Sequence, residues 1–460
     1  MDVDLTTISM HFLNKIYGAI WSAPLLLLII GIGVYFTVVL KGIQFRYLRY
    51  ALKLALGNRH YKGEKGDITH FQSLMTALAA TIGIGNIAGV STAIVLGGMG
   101  ALFWMWITAL IGMATRYAEA ALAVKYRTTD KRGEMCGGPM YFIEYGLKWR
   151  WLSIAFALFG AIAAFGGGNM IQSNSVADVM KSLFSIDPIW TGVMMAACAG
   201  LTILGGIKSI GRVAAFLVPL MAIFYIGGAG VILVMKYDLI PQTLYAIVTS
   251  AFTGQAAVGG FTGSTIILAV QMGVSRGLMT SEAGLGTASI AAAAAQTDVP
   301  GRQALVSMTG CFLATIVMCT VTGLVLGVTG IQGTIGPDGK LLTGASMTVA
   351  AFDSVFSGGG YIVTIGLALF AFTTLIGWAY YGEKCCEYLF GERSVPWYRV
   401  LFILIIIPGA VLELEIVWKI SDVTNGLMAI PNLIGLCALS GVVVEETRDF
   451  MKTLKAEGHS

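Results

Sequence analysis

Charge is scarce in this chain. Asp, Glu, Lys and Arg together make up 12% of the 460 residues, about half the share of an ordinary soluble protein. With 56% hydrophobic residues and a mean hydropathy of +0.79, too few polar side chains are left to cover a water-facing surface, which excludes a soluble globular protein. Histidine is sparse too, and His11, His60, His70 and His459 stand far apart. No HExxH, no GxSxG elbow and no Cys/His cluster occurs, so the residue sets of zinc and serine hydrolases are missing and no enzyme is expected. The absence of a GxxxxGK[ST] phosphate loop removes a nucleotide-driven pump. The seven cysteines keep neither metal-ligand nor disulfide spacing. Asp2 and Asp4 stand where a signal peptide has its basic region, so no cleaved leader is expected.

What the chain does have is a series of apolar runs of about twenty residues, enough to cross roughly 30 Å of hydrocarbon at about 1.5 Å per residue. Eleven crossings are predicted, over residues 19–40, 68–96, 100–124, 151–180, 189–207, 213–235, 244–274, 304–328, 361–381, 400–417 and 423–444. Threading these alternately puts 24 of the 29 Lys and Arg residues on one side. Basic residues accumulate on the cytoplasmic side, so a multi-pass protein of the cell membrane is expected, N-terminus outside and C-terminus in the cytoplasm. The net charge of +4 is then a topology signal rather than a nucleic-acid footprint.

Two of the predicted crossings are interrupted. Thr81-Ile82-Gly83-Ile84-Gly85-Asn86 breaks the second, and Gly259-Gly260-Phe261-Thr262-Gly263-Ser264 breaks the seventh. Unwound backbone survives in a bilayer only where it is buried in protein or lines a cavity, and paired breaks mark the substrate site of secondary transporters. With the first helix (19–40) set aside as peripheral, the breaks open two groups of five helices, about 68–235 and 244–444, arranged as an inverted repeat within a single transmembrane domain over 1–460. At Ile84 and Gly85 free N–H groups suit a carboxylate. The carbonyls that end the preceding half-helix suit a cation, and those of Phe261, Thr262 and Gly263 an ammonium. Gly85 and Gly89 also fit a plain small-residue helix contact. Asn169 and Gln172, beside Gly166 to Gly168, either line a pocket or bond across helices. No midplane charge is expected in the second, fourth, seventh or ninth crossing, and the pocket is expected to suit small neutral ligands.

Gly66-Asp67-Ile68-Thr69 with the run Thr81 to Gly89, and Arg276-Gly277-Leu278 with Ser281-Glu282-Ala283-Gly284-Leu285-Gly286, resemble the alanine or glycine:cation symporter family, within the amino acid-polyamine-organocation superfamily. The likeness extends along nearly the full chain. One departure is Thr280-Ser281 before Glu282, where the family pattern has Ser-Asn. The resemblance implies an all-α polytopic membrane protein of about eleven helices, a LeuT-like five-plus-five inverted repeat with two discontinuous helices. It also implies alternating-access import of alanine, glycine and similar small neutral amino acids, coupled to Na⁺. A proton-coupled relative or a broader neutral amino acid transporter is the alternative. From the breaks and the polar pair, the expected substrate residues are Thr81, Gly83, Ile84, Gly85, Asn86, Asn169, Gln172, Phe261, Thr262 and Gly263. The implied sodium ligands are the carbonyls of Ala79, Ile82 and Phe370 with the hydroxyls of Thr373 and Thr374, an oxygen-only set that suits a hard cation. No organic cofactor and no partner beyond the amino acid and membrane lipid is expected. A channel would bring a repeated filter or rings of charge, which the chain does not have.

Overall fold

The computed structural model describes residues 5–57, 64–253, 265–336, 339, 341–412 and 415–457. Among them the only strands are the two-residue β1 (Thr128–Thr129) and β2 (Met135–Cys136), which pair antiparallel. The chain opens with α1 (Leu5–Ile20), α2 (Ala23–Val39), α3 (Ile43–Arg46) and α4 (Leu48–Leu56), followed by α5 (His70–Thr81), α6 (Val90–Gly97) and α7 (Gly100–Lys125). Beyond the strands come α8 (Pro139–Phe142), α9 (Arg150–Phe165), α10 (Ile171–Phe184), α11 (Pro188–Ile203), α12 (Gly206–Met235) and α13 (Ile240–Thr253). The remainder is α14 (Ile266–Ser281), α15 (Thr287–Ala293), α16 (Pro300–Cys311), α17 (Thr320–Thr329), α18 (Gly344–Asp353), α19 (Gly359–Phe390), α20 (Val395–Val411), α21 (Glu415–Ala438) and α22 (Ser440–Ala456). Among the described residues, seven spans are long and apolar enough to cross a membrane, or up to nine when two bent helix pairs are each counted as one, and α11 and α14 are shorter apolar helices. The bundle has a basic end, where α7 finishes at Lys125 and α9, α12 and α16 begin near Arg150, Lys208 and Arg302.

Local chemistry fixes the first break. α5 starts in a capping box: Thr69 Oγ1 accepts from Gln72 N–H (3.1 Å) and Gln72 Oε1 accepts from Thr69 N–H (3.0 Å). It stops where Ile82 turns extended (φ −81°, ψ 92°), and the chain resumes at a bend of 55° through a wide π-helical turn, Gly85–Gly89, into α6. Such turns free backbone groups and concentrate at functional sites.

The second break lies later than the sequence reading placed it. Gly259 to Ser264 fall outside the described residues. α13 does not continue a crossing: Thr243 packs on Gly327 near the end of α17, and the Ala251 carbonyl takes the Trp104 indole N–H (3.2 Å) near the start of α7. Both contacts lie opposite the basic end, so α13 runs across that end. α14 then descends along α7, Gly273 against Trp104 and Gly277 against Met105 and Thr108. It stops at Glu282, in left-handed backbone at φ 51°, and Gly284 (φ 99°) and Gly286 (φ 83°) reverse the chain into α15. The seventh crossing is therefore α14 and α15, broken at residues 282–286.

Candidate functional site

Between the two breaks lies a cavity of about 310 Å³. Its wall includes Thr81, Gly83, Ile84 and Gly85 from the first break, Thr280, Glu282 and Leu285 around the second, Gln172 from α10, and Thr374 and Trp378 from α19. Of the ten residues proposed for the substrate, five stand on this wall. Asn86 and Asn169 do not, and Phe261, Thr262 and Gly263 fall outside the described residues.

Asn86 is committed to holding the break open. Its Oδ1 accepts from Gly83 N–H (3.0 Å) and its Nδ2 donates to the Ala314 carbonyl (2.8 Å). In an unbroken helix Gly83 N–H would bond the Ala79 carbonyl, so the Asn86 amide releases that carbonyl. Asn169 instead crosses to the next helix, donating to the Phe402 carbonyl (2.6 Å). Gln172 donates to the Gly167 carbonyl (2.9 Å), and its buried Oε1 has no hydrogen-bond partner among the described residues. No side chain fits at Gly168, where α19 brings Trp378 against the backbone.

The end of α5 packs on α19, which carries Phe370, Thr373 and Thr374. Gly377 packs on Ala80, and a Cβ built on Gly83 would lie 2.5 Å from Thr374 Oγ1. That hydroxyl, on a residue 4% exposed, has no hydrogen-bond partner among the described residues. In a membrane helix a threonine ordinarily bonds the carbonyl one turn back, and its neighbour Thr373 does so, donating to the Phe370 carbonyl (3.0 Å). A buried hydroxyl left without a partner in a native structure calls for an occupant or a role.

The second break is held from outside itself. Glu119 Oε1, on α7, accepts from Gly284 N–H (2.9 Å), Gly286 N–H (3.1 Å) and Asn432 Nδ2 (2.7 Å), while Arg116 donates to the Ser281 carbonyl. Arg116 and Glu119 are within 4 Å of no ion-pair partner among the described residues. They grip opposite ends of the break rather than each other. Glu282, 2% exposed, accepts from Thr287 Oγ1 (3.1 Å) and faces the cavity. Arg276 on α14 and Asp422 on α21 line it as well. The pocket, expected to be free of charge, thus carries Glu282, Arg276 and Asp422 on its wall, and Arg276, threaded with the basic side from sequence, stands within α14. These residues were legible only as loop charges while the break was set too early.

At the basic end the cavity is shut. Ile68 and Ala295 form a parallel bridge, with Asp67 N–H bonded to the Ala294 carbonyl (2.9 Å) and Gln296 N–H to the Ile68 carbonyl (2.8 Å). Arg127 staples this seam, donating to the carbonyls of Ala293 (2.8 Å), Ala295 (2.7 Å), Lys65 (2.9 Å) and Thr297. Asp67 Oδ2 accepts from Met135 N–H (2.7 Å) on the β1–β2 hairpin, and burial pushes its carboxyl above the usual aspartate range. Asp130, Cys136 and Glu387 cluster nearby like metal ligands. Lys384 Nζ fills that space, 2.9 Å from Glu387 and 3.4 Å from Cys136 Sγ.

The profile of the sodium:alanine symporter family matches residues 6–460. A sodium/alanine symporter, AgcS of Methanococcus maripaludis, is 54% identical over 448 residues, covering 96% of this chain and 98% of that protein. A probable sodium/glutamine symporter, GlnT of Bacillus subtilis, is 35% identical over 97% of this chain and 91% of its own length. Among solved structures, MhsT in complex with L-phenylalanine superposes with a TM-score of 0.55 at 14% identity, over 84% of this chain and 99% of that one. At that identity the likeness is one of fold.

Proposed function

The chain belongs to the sodium:alanine symporter family and is a membrane transporter of LeuT-like fold rather than an enzyme; from that premise we propose how it carries alanine, glycine and similar small neutral amino acids together with Na⁺. The observation that carries the reading is the Thr374 hydroxyl, unpartnered among the described residues and pressed against Gly83 on the cavity wall. Na⁺ sits there, held by Thr373, Thr374 and the carbonyls of Ala79, Ile82 and Phe370. Its charge lies one residue from the unwound Gly83 to Gly85 backbone, whose N–H groups take the substrate carboxylate. The ammonium faces the Glu282 carboxylate and the free carbonyls near Thr81. Gln172 and Trp378 close the sides. Both sites share the Ala79 to Gly85 stretch at the break, so ordering it for one cargo favours binding of the other.

Substrate enters from the end opposite the basic seam, and release needs that seam to part while the halves of α5 and α15 move away from the cavity. The basic end lies in the cytoplasm, which puts the N-terminus outside. Purified protein in sealed vesicles tests the reading: labelled alanine accumulates only under an inward Na⁺ gradient. Accumulation driven equally by a proton gradient without Na⁺ would replace it with proton coupling.

A further inference from the structure

A second cavity, of about 360 Å³, lies at the basic end, away from the transport site, between the end of α2 with α3 and the C-terminal helix α22. Four cations line it, Lys41, Arg46, Arg448 and Lys455, and among the described residues no carboxylate does. None of the four is in an ion pair among the described residues. Of the acids on the same stretch of α22, Glu446 pairs with Lys125 (2.5 Å) and Asp449 with Lys452 (2.7 Å), and Glu445 is exposed and outside the groove lining. Four like charges converging without a counter-ion repel one another, and the arrangement is stable only if water or an anion screens them.

The position says which anion. α2 ends at this cavity after crossing the apolar layer, and α22 turns by 63° from α21 to lie across the same end. The groove therefore stands at headgroup level. Val39 and Met451 supply an apolar floor, and the outward side of α2 continues it with exposed Leu27, Val34 and Val38. A phosphate among the cations and acyl chains along α2 would fill both parts at once. We propose that this groove binds an anionic phospholipid, its headgroup phosphate held by Lys41, Arg46, Arg448 and Lys455, tying the peripheral helix to the C-terminal one.

Native mass spectrometry of the full chain in detergent, titrated with phosphatidylglycerol, phosphatidylcholine or inorganic phosphate, tests this. Wild type should retain phosphatidylglycerol in preference to phosphatidylcholine, and millimolar inorganic phosphate should displace it poorly. At roughly fivefold in affinity per cation near a lipid surface, Arg46→Gln with Arg448→Gln should lose on the order of twentyfold. Lys208→Gln with Arg393→Gln, exposed cations on the same end but outside the groove, should bind as wild type does. Lys41→Gln with Lys455→Gln repeats the test should the first pair fail to fold. Equal loss in the control pair would reduce the effect to bulk charge. Unchanged binding in both groove pairs, or phosphatidylcholine retained equally, would overturn the site. Displacement by inorganic phosphate as effective as by lipid would make it a free-anion site.

Discussion

Replacing Gly83 by alanine puts one methyl group into the contact on which the proposed cation site depends. The added Cβ would stand 2.5 Å from Thr374 Oγ1 and 3.6 Å from its Cβ and Cγ2. Because the close atom is the hydroxyl itself, relief comes either from rotating Thr374, which turns the ligand oxygen away, or from moving α5 off α19. Overpacking of this kind costs about 1–3 kcal/mol, or roughly 5- to 150-fold in a binding constant. The apparent Na⁺ affinity should fall by that factor, and alanine binding should fall with it at sub-saturating Na⁺ and recover at high Na⁺. Gly85→Ala, whose Cβ would find nothing closer than Thr280 Cγ2 at 3.6 Å, separates the two effects: it should leave the Na⁺ dependence as in wild type even where crowding of the cavity lowers alanine affinity. Thr374→Ala removes both the ligand and the clash, so adding Gly83→Ala to it should do little further harm. The assay is equilibrium binding of labelled alanine against Na⁺ concentration in detergent, with size-exclusion profiles to confirm folding. Unchanged Na⁺ dependence in Gly83→Ala, or additive losses in the double variant, would refute the reasoning.

Thr373→Ala should weaken Na⁺ binding while leaving the alanine affinity at saturating Na⁺ near wild type, read in the same assay. Asn86→Ala leaves the Gly83 N–H and the Ala314 carbonyl without their partner, at about 1–3 kcal/mol for each buried group; thermal unfolding should show a drop of several degrees, which a surface change such as Gln242→Ala should not reproduce. Arg127→Gln removes a charged staple from four carbonyls, so amide exchange at residues 65–68 and 293–297 should rise by at least about tenfold while that of α9 stays fixed. In competition against labelled alanine, glycine and serine should compete well, leucine poorly, and alaninamide, which carries no carboxylate, poorly too; leucine or alaninamide matching alanine would point to a broader pocket or a different carboxylate site.

The sequence alone determined the class, most of the apolar helices and the first break, because each rests on local physics. Apolar runs of membrane length have one stable arrangement in lipid, the Thr69 and Gln72 capping box is a four-residue device, and Gly83 with Gly85 inside an apolar helix marks an interruption wherever the helix packs. The same local logic misplaced the second break at Gly259 to Ser264, where glycines cluster, while Ser281 to Gly286 read as a loop after a helix. That stretch becomes a break between α14 and α15 because Glu119 and Arg116 on α7 and Asn432 on α21 hold its backbone from 148 to 167 residues away. Only folding brings them there. It likewise turned Asn86 from a candidate ligand into a brace and carried Arg276, Glu282 and Asp422 to the cavity wall. A backbone group freed from its own helix is satisfied by whichever side chain the fold delivers, and no spacing along the chain encodes that delivery.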